Sequence, residues 1–325
     1  KGIFDFLLGA TIQQINSSAS QVNVINYIDE QLLESQAGGS VSTATSSKSE
    51  YNFLSFFARS SYNWENKYIL NGTFRRDGSS RFGPGRQFGN FASIGGAWLF
   101  ANENIIKDNV KWLTYGKLRA SYGSTGSDGI GDYGYLSLYG NPLDYGSSRS
   151  IRPSQIANSE YQWEINNKLE LALEAGFFKD NILLSAVYYL NRSNNQLVTY
   201  PLPSTTGFSG YTANLPALVE NSGWEFELNT TNLAKKNITW STSFNLTIPK
   251  NRLVDFPNIE LTSYANTLII GQSLNTVLRF NFLGIDPATG LTLVEDVNKN
   301  GIFTNRSSYN NQGGDYVNVG NTDPK

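Results

Sequence analysis

Apolar and polar residues alternate one by one through long segments of this chain, and a period of two fits only an extended strand with two unlike faces. In 168–177, Leu169, Leu171, Leu173, Ala175 and Phe177 fall on one side, with Glu170, Ala172, Glu174 and Gly176 on the other. Segment 182–191 repeats the scheme, and 223–231 sets Trp224, Phe226 and Leu228 against Glu225, Glu227 and Asn229. In 237–248, Ile238, Trp240, Phe244, Leu246 and Ile248 oppose Asn, Thr and Ser residues. Looser alternation marks strands at 2–12, 51–62, 67–76, 90–100 and 115–124, giving nine, with a tenth near 277–283.

The connections between these strands decide what they build. Segments 63–66, 178–181 and 232–236 are short, while 17–50, 125–165 and 193–222 are long. The connection 101–114 is intermediate and predicts a helical turn. Short turns at one end and long loops at the other are the pattern of an outer-membrane up-and-down barrel. Eleven residues rise about 36 Å and project to roughly 28 Å at a 40° tilt, close to the ~25 Å apolar band of such barrels. Soluble strands usually stop at about five or six residues. The fold expected is therefore an all-β transmembrane antiparallel barrel with its apolar face to lipid. Glu170, Glu174, Glu225 and Glu227 then face the lumen. Tyr51, Tyr62, Trp64, Tyr68, Trp98, Trp112 and Tyr115, near strand ends, are candidates for interfacial girdles. Nine or ten strands leave open edges, which a membrane does not tolerate. The remaining wall must come from further sequence or other subunits.

Composition excludes several chemistries. There is no Cys, His or Met, so no disulfide, thiol nucleophile, Ser-His-Asp triad or ordinary zinc site is expected. Lysine and arginine total 25 against 27 acidic residues, which gives no reason to expect nucleic acid. With no Met, Lys1 is not expected to be a translation start, and any signal peptide lies outside this sequence.

Specific motifs carry a family resemblance. They are Lys67-Tyr-Ile-Leu-Asn-Gly-Thr-Phe-Arg-Arg-Asp-Gly-Ser-Ser-Arg-Phe-Gly-Pro84, Gly89-Asn-Phe-Ala-Ser-Ile-Gly-Gly-Ala-Trp98, Trp112-Leu and Lys117-Leu-Arg-Ala-Ser-Tyr-Gly-Ser-Thr-Gly126. Further on come Ile130-Gly-Asp-Tyr-Gly-Tyr-Leu, Glu220-Asn-Ser-Gly-Trp-Glu-Phe-Glu-Leu and Val319-Gly-Asn-Thr-Asp-Pro-Lys325. From about Tyr51 onward the chain resembles the barrel of SusC/RagA-type TonB-dependent outer-membrane transporters of the Bacteroidota. Ala92 departs from the family's usual Pro. The resemblance implies a 22-strand barrel in the complete protein. Residues 1–325 then form part of it, without the plug, the TonB-binding segment or the last strands. It also implies uptake of oligosaccharides or peptides, driven through TonB-ExbB-ExbD and covered by a SusD-like lipoprotein lid. No covalent chemistry, and so no enzyme, is expected.

Within that frame, Arg75, Arg76, Asp77, Arg81 and Phe82 read as a loop-fixing motif: Asp77-Gly78 is a turn signal, and the arginines are positioned to clamp Asp77, lipid or loop carboxylates. Tyr133, Tyr135, Tyr139, Tyr145, Tyr161, Trp163, Tyr200 and Tyr211, amid Asn, Ser and Gly, are candidates for stacking on substrate or lid, or for packing among themselves. Asp296, Asn298 and Asn300 place oxygens at alternate positions before Gly301, as at the start of a calcium loop. The bidentate Glu at the twelfth position is missing, so the competing reading is a tight surface turn. Gly129-Ile-Gly-Asp-Tyr-Gly134 matches a dinucleotide fingerprint only formally, since it does not open a helix. Glu225 and Glu227, about 7 Å apart, meet an inverting-glycosidase spacing. Both sit on one face of one strand and cannot flank a sugar. Competing readings of the whole are an uncoupled pore, an adhesin or scaffold barrel, and a soluble glycan-binding β-protein.

Overall fold

The computed structural model describes residues 1–140, 144–145 and 148–323, without side-chain detail at 144, 145, 148 and 149. The Tyr145 side chain, a candidate contact, and the end of the last motif, Pro324 and Lys325, therefore lie outside what is described. Nine antiparallel strands form one sheet in which every neighbour in space is the neighbour in sequence. They are β1 (Gly2–Ile25), β2 (Ser40–Trp64), β3 (Tyr68–Ser79), β4 (Phe88–Trp98), β5 (Leu113–Ser127), β6 (Glu164–Phe177), β7 (Ile182–Asn194), β8 (Leu218–Lys235) and β9 (Ile238–Asp255). Smaller hairpins in the long connections are named below by residue.

Register carries the alternation from strand to strand, because residues opposite one another share a face. Leu171 lies opposite Ala120 and Tyr188, which in turn meets Trp224 and then Ile248. Leu173, Ala186, Phe226 and Leu246 form the next row. On the first strands the same side carries Phe4, Phe6, Leu8 and Ile12, the last of them 82% exposed. A sheet nine strands wide with this much apolar surface uncovered is incompatible with a soluble β-protein; acyl chains are the solvent that suits it. No helix among the described residues is long and apolar enough to cross a membrane.

The tight ends are made by positive-φ residues: Glu65 and Asn66 after β2, and Phe178, Lys179 and Asp180 after β6. The intermediate connection holds a 3-10 turn, Phe100–Asn102, and a short helix, Asn104–Asn109. Aromatics gather at this end, with Trp64 on Tyr68, Trp98 on Phe100 and Trp112 stacked on Phe177 at 5.7 to 5.8 Å. Two girdle candidates lie elsewhere: Tyr115 points to the polar face, where its hydroxyl donates to Glu174 at 3.2 Å, and Tyr51 belongs to an outer network described below.

Two expectations about the strands are corrected. The strands run further outward than the alternation indicated: β1 and β2 have 24 and 25 residues. Beyond the membrane both faces meet water, so Ser17–Ser20 and Ser46–Ser49 pair in register without any apolar stripe to announce it. The tenth segment does form a strand, Thr276–Phe280, but it pairs with Tyr316–Asn321 in a separate two-stranded sheet and adds nothing to the wall.

Candidate functional site

The polar face of the wall is a charged lattice. Arg119, Ala172, Val187, Glu225 and Thr247 occupy one register row, and Lys117, Glu174, Ser185, Glu227 and Asn245 the next. Glu174 accepts from Lys117 at 3.3 Å and from Arg119 at 3.3 Å, and Arg119 also pairs with Glu170. Glu227 accepts from the Asn229 amide at 2.6 Å, and Glu225 is exposed. Parity puts all four glutamates on the face opposite Leu171 and Trp224.

The outer rim is held by the Arg-rich motif at the end of β3. Asp77 is 8% exposed; its Oδ1 accepts from Ser55 Oγ at 2.5 Å and from Arg75 at 3.2 and 3.3 Å, joining β2 to β3. Ser79 and Tyr51 donate to Asp128 at 2.7 and 2.8 Å. Arg81 donates to Asp132 at 2.9 Å and to the Asp128 carbonyl at 3.0 Å, with its guanidinium 4.3 Å from the Tyr51 ring centre. Charge-assisted bonds of this kind outweigh neutral ones roughly twofold. The motif therefore staples the 80–87 loop and β2 to the 128–163 connection. Arg76 takes the other face: it donates to Asn90 and lies 5.0 Å from the Phe88 ring centre, clamping no carboxylate among the described residues. Alternation makes this unavoidable, since Arg75 and Arg76 are adjacent on one strand.

Phe82 is fully buried among Phe91, Tyr161 and Trp163, with Phe53, Ile130, Tyr135 and Leu197 around them. The motif glycine Gly126 sits under the Phe91 ring, and any Cβ there collides with it. Tyr161 and Trp163, 1% and 6% exposed, thus pack among the loop aromatics, and Tyr161 also lines the cavity described below. Burial pushes the Tyr161 hydroxyl pKa upward, and Trp163 spends its N–H on the Gln87 carbonyl at 3.1 Å. Tyr133 accepts the Glu50 N–H at 2.9 Å, and Tyr200 packs edge-on against Tyr264 at 5.8 Å; both hold loops together. Tyr139 remains 66% exposed on its hairpin. Tyr211 lines a cavity of about 420 Å³ with Asp132, Gln155 and Thr199.

A two-faced wall of nine meandering strands, short turns on one side, and a rim locked by this motif agree with the family comparison. The model for the TonB dependent receptor-like β-barrel matches residues 4–325. The chain belongs to that family. It is 30% identical over 282 residues to TonB-dependent receptor P39 of Formosa agariphila, covering 86% of this chain and 27% of that protein. With TonB-dependent receptor SusC of Bacteroides thetaiotaomicron it shares 31% over 208 residues, 62% of this chain and 20% of the relative. The chain spans about a quarter of the length of these receptors. The RagAB peptide transporter has the same fold over 98% of this chain and 35% of its own, with a TM-score of 0.84 at 23% identity. The protein is a β-barrel of the outer membrane, present here as a partial wall.

Three features of this receptor barrel had no signal in the sequence. Glu220, buried in the outer part of β8, accepts from Arg192 at 2.9 Å and Arg252 at 2.8 Å, bolting β7, β8 and β9 together. Opposite charges on three strands are readable only once the register is known. Asp128 and Asp132, on which the motif closes, carry no local pattern that marks them. Asp315, fully buried in the last connection, accepts the N–H groups of Val297 at 3.1 Å and Thr304 at 2.8 Å. Those bonds, the Thr304 one above all, hold its carboxyl below the usual carboxylate range against the cost of burial.

The segment Asp296, Asn298, Asn300 is a turn closed by its own backbone. The Asp296 carboxylate accepts from Asn300 and Gly301 N–H at 3.2 and 2.7 Å, and Asn300 Oδ1 from Ile302 N–H at 2.7 Å. Asn298 donates its amide to the Gly313 carbonyl at 2.5 Å. A donor set with one carboxylate and two amides is weak for a hard divalent cation. Among the described residues no three His, Cys, Asp or Glu side chains gather as a metal site.

Proposed function

We propose that the complete protein is an outer-membrane importer of the SusC type: a gated barrel that takes up oligosaccharides or peptides, draws energy through TonB-ExbB-ExbD, and is covered by a SusD-like surface lipoprotein. One observation carries this reading. Across β5 to β8 the non-lipid face holds a paired lattice of Lys117, Arg119, Glu170 and Glu174 beside Glu225 and Glu227. Charge on one face of a membrane wall needs water beside it, and a solute path is the use of a wide aqueous lumen. The family membership, the relative named SusC and the likeness to a transporter named for peptides support the same reading. Tyr139 and the cavity at Tyr211 are the surfaces offered to substrate or lid. Flat rings beside amides and hydroxyls suit sugar rings and peptide planes. The barrel contributes binding and passage, with no covalent step.

The test is uptake of labelled oligosaccharides and peptides by cells making the full-length protein, with TonB present or deleted. Uptake that disappears without TonB supports the proposal. Equal uptake in both strains makes the protein an uncoupled pore, and ligand capture without transfer makes it a scaffold.

A further inference from the structure

A groove of about 1060 Å³ opens on the lipid side of the wall between β2 and β8, at the top of the ~300–1,000 Å³ range of ligand pockets. Its floor is small: Gly96 lies opposite Ala120, and Ala186 sits one row below, opposite Leu173. Tyr68 and Trp98 bound it on β3 and β4, and Tyr188 and Trp224, with ring centres 5.1 Å apart, on β7 and β8. Nothing in the protein requires the glycine. A Cβ at Gly96 meets no atom closer than the Ile69 carbonyl at 3.7 Å, an ordinary contact, whereas one at Gly123 or Gly126 collides with its neighbours. Glycine weakens a strand, and where its own fold does not need it, it marks a close approach from outside. The aromatic side of the groove is set in advance. Tyr68 Oη and Trp98 Nε1 donate to Glu103 at 2.7 and 3.2 Å, and Lys67 donates to the same carboxylate at 3.1 Å.

Below the groove is the short-turn end, where cations are left over. Lys107 and Lys111 lie on the connection that joins β4 to β5, directly under Gly96 and Ala120. Among the described residues neither makes an ion pair; the lysine that does at this end is Lys67, apart from the terminal amine of Lys1. Beside them Ile105 is 80% exposed and Trp112 54%. Apolar groups interleaved with free lysines suit a headgroup boundary, with the ammonium groups reaching outward.

Further strands of the barrel join at the β1 and β9 margins, and whatever fills the lumen meets the opposite face. Neither covers this groove. The medium that reaches it is the periplasmic leaflet, since Gly96 stands two residues above Trp98, roughly 5 Å into the hydrocarbon.

We propose that the groove holds one anionic phospholipid of the periplasmic leaflet, with its acyl chains over Gly96 and Ala120 and its phosphate on Lys107 and Lys111. The chains fill space that no side chain occupies, and the two ammonium groups gain the counter-charge that the protein does not supply.

Native mass spectrometry of the full-length protein tests this, after release from nanodiscs of phosphatidylglycerol and phosphatidylcholine with identical chains in equal amounts. One retained lipid per barrel is expected, enriched in phosphatidylglycerol by about fivefold for each lysine that holds it. Lys107→Gln with Lys111→Gln should bring the enrichment close to one. Lys235→Gln with Lys236→Gln should leave it unchanged, because Lys235 lies five residues below Thr230, where β8 last pairs with β7. Gly96→Leu should abolish the retained lipid in a barrel that still runs as folded when unheated. Should that variant not assemble, the two lysine pairs decide alone. Equal retention of both lipids by the wild type overturns the proposal, as does equal loss of preference in the two lysine pairs, which reports surface charge alone. So does lipid retention by a folded Gly96→Leu barrel, or a dimer whose cross-links place a second copy over Trp98 and Trp224.

Discussion

The membrane-spanning part of the wall and the loop cluster above it solve the same problem in opposite ways. In the wall the large apolar side chains face outward and stay uncovered by protein, as with Leu171 at 45%, Trp224 at 47% and Leu8 at 70% exposure. The packed cores lie in the loops and the strand ends they cover: Phe82 with Tyr161 and Trp163, and Leu253, Phe256 and Ile259 with Leu215, Ala217 and Val219. Lipid supplies to the wall what a protein interior supplies elsewhere, and the backbone ladder does the rest. Outside the bilayer the chain meets water and must bury its own apolar surface and pair its own charges. Stability in the wall is therefore a matter of face, and in the loops a matter of fit.

That contrast can be broken by substitution, the largest effect first. Phe82→Ala leaves a cavity in a closed core and is expected to cost about 3–5 kcal/mol. Protease cleavage in 128–163 should then rise while the wall keeps its resistance. An equal loss of wall stability sinks the separation of the two regions. Leu171→Arg places charge at mid-bilayer, with an expected cost of about 2–4 kcal/mol in urea unfolding from lipid vesicles. Glu227→Arg, on the lumen face, should stay within about 0.5 kcal/mol. Similar costs for the two would mean that both faces see one environment. Asp77→Ala removes the acceptor of Ser55 and Arg75 and should cost about 1–3 kcal/mol, read as faster amide exchange at the β2–β3 rim. The smallest effect is set by acid. Asp315 has a lowered folded pKa, so the stability it contributes is present above its unfolded value of 3.8 and drains away as pH falls through the folded one. The 256–323 segment should loosen below about pH 4, followed by amide hydrogen exchange in that segment, while an Asp315→Asn variant starts looser and changes little over that range.

The motif at Arg75 to Phe82 shows how far local reading reaches. Its role as a loop fastener is consistent with its composition, but the partners of Arg81 lie about fifty residues away, at Asp128 and Asp132. The loop aromatics were separable only by packing. Tyr161 and Tyr211 both fall in long polar connections and both touch one cavity, yet Tyr161 is 1% exposed against Phe82 and its neighbours while Tyr211 is only half-buried. The outer halves of β1 and β2 were missed because a strand with water on both sides has no alternation to display.

What the sequence settled alone is whatever repeats every two residues: the existence of the nine strands, which of their faces is greasy, and hence the membrane as their medium. A side chain's face is fixed by its parity, a local property. The tertiary structure alone decided register, and with it the Glu220 bolt, the Asp77 and Asp128 staples and the fate of the tenth strand. Each of these joins residues far apart along the chain, and the free energy that selects among such pairings comes from the whole sheet at once.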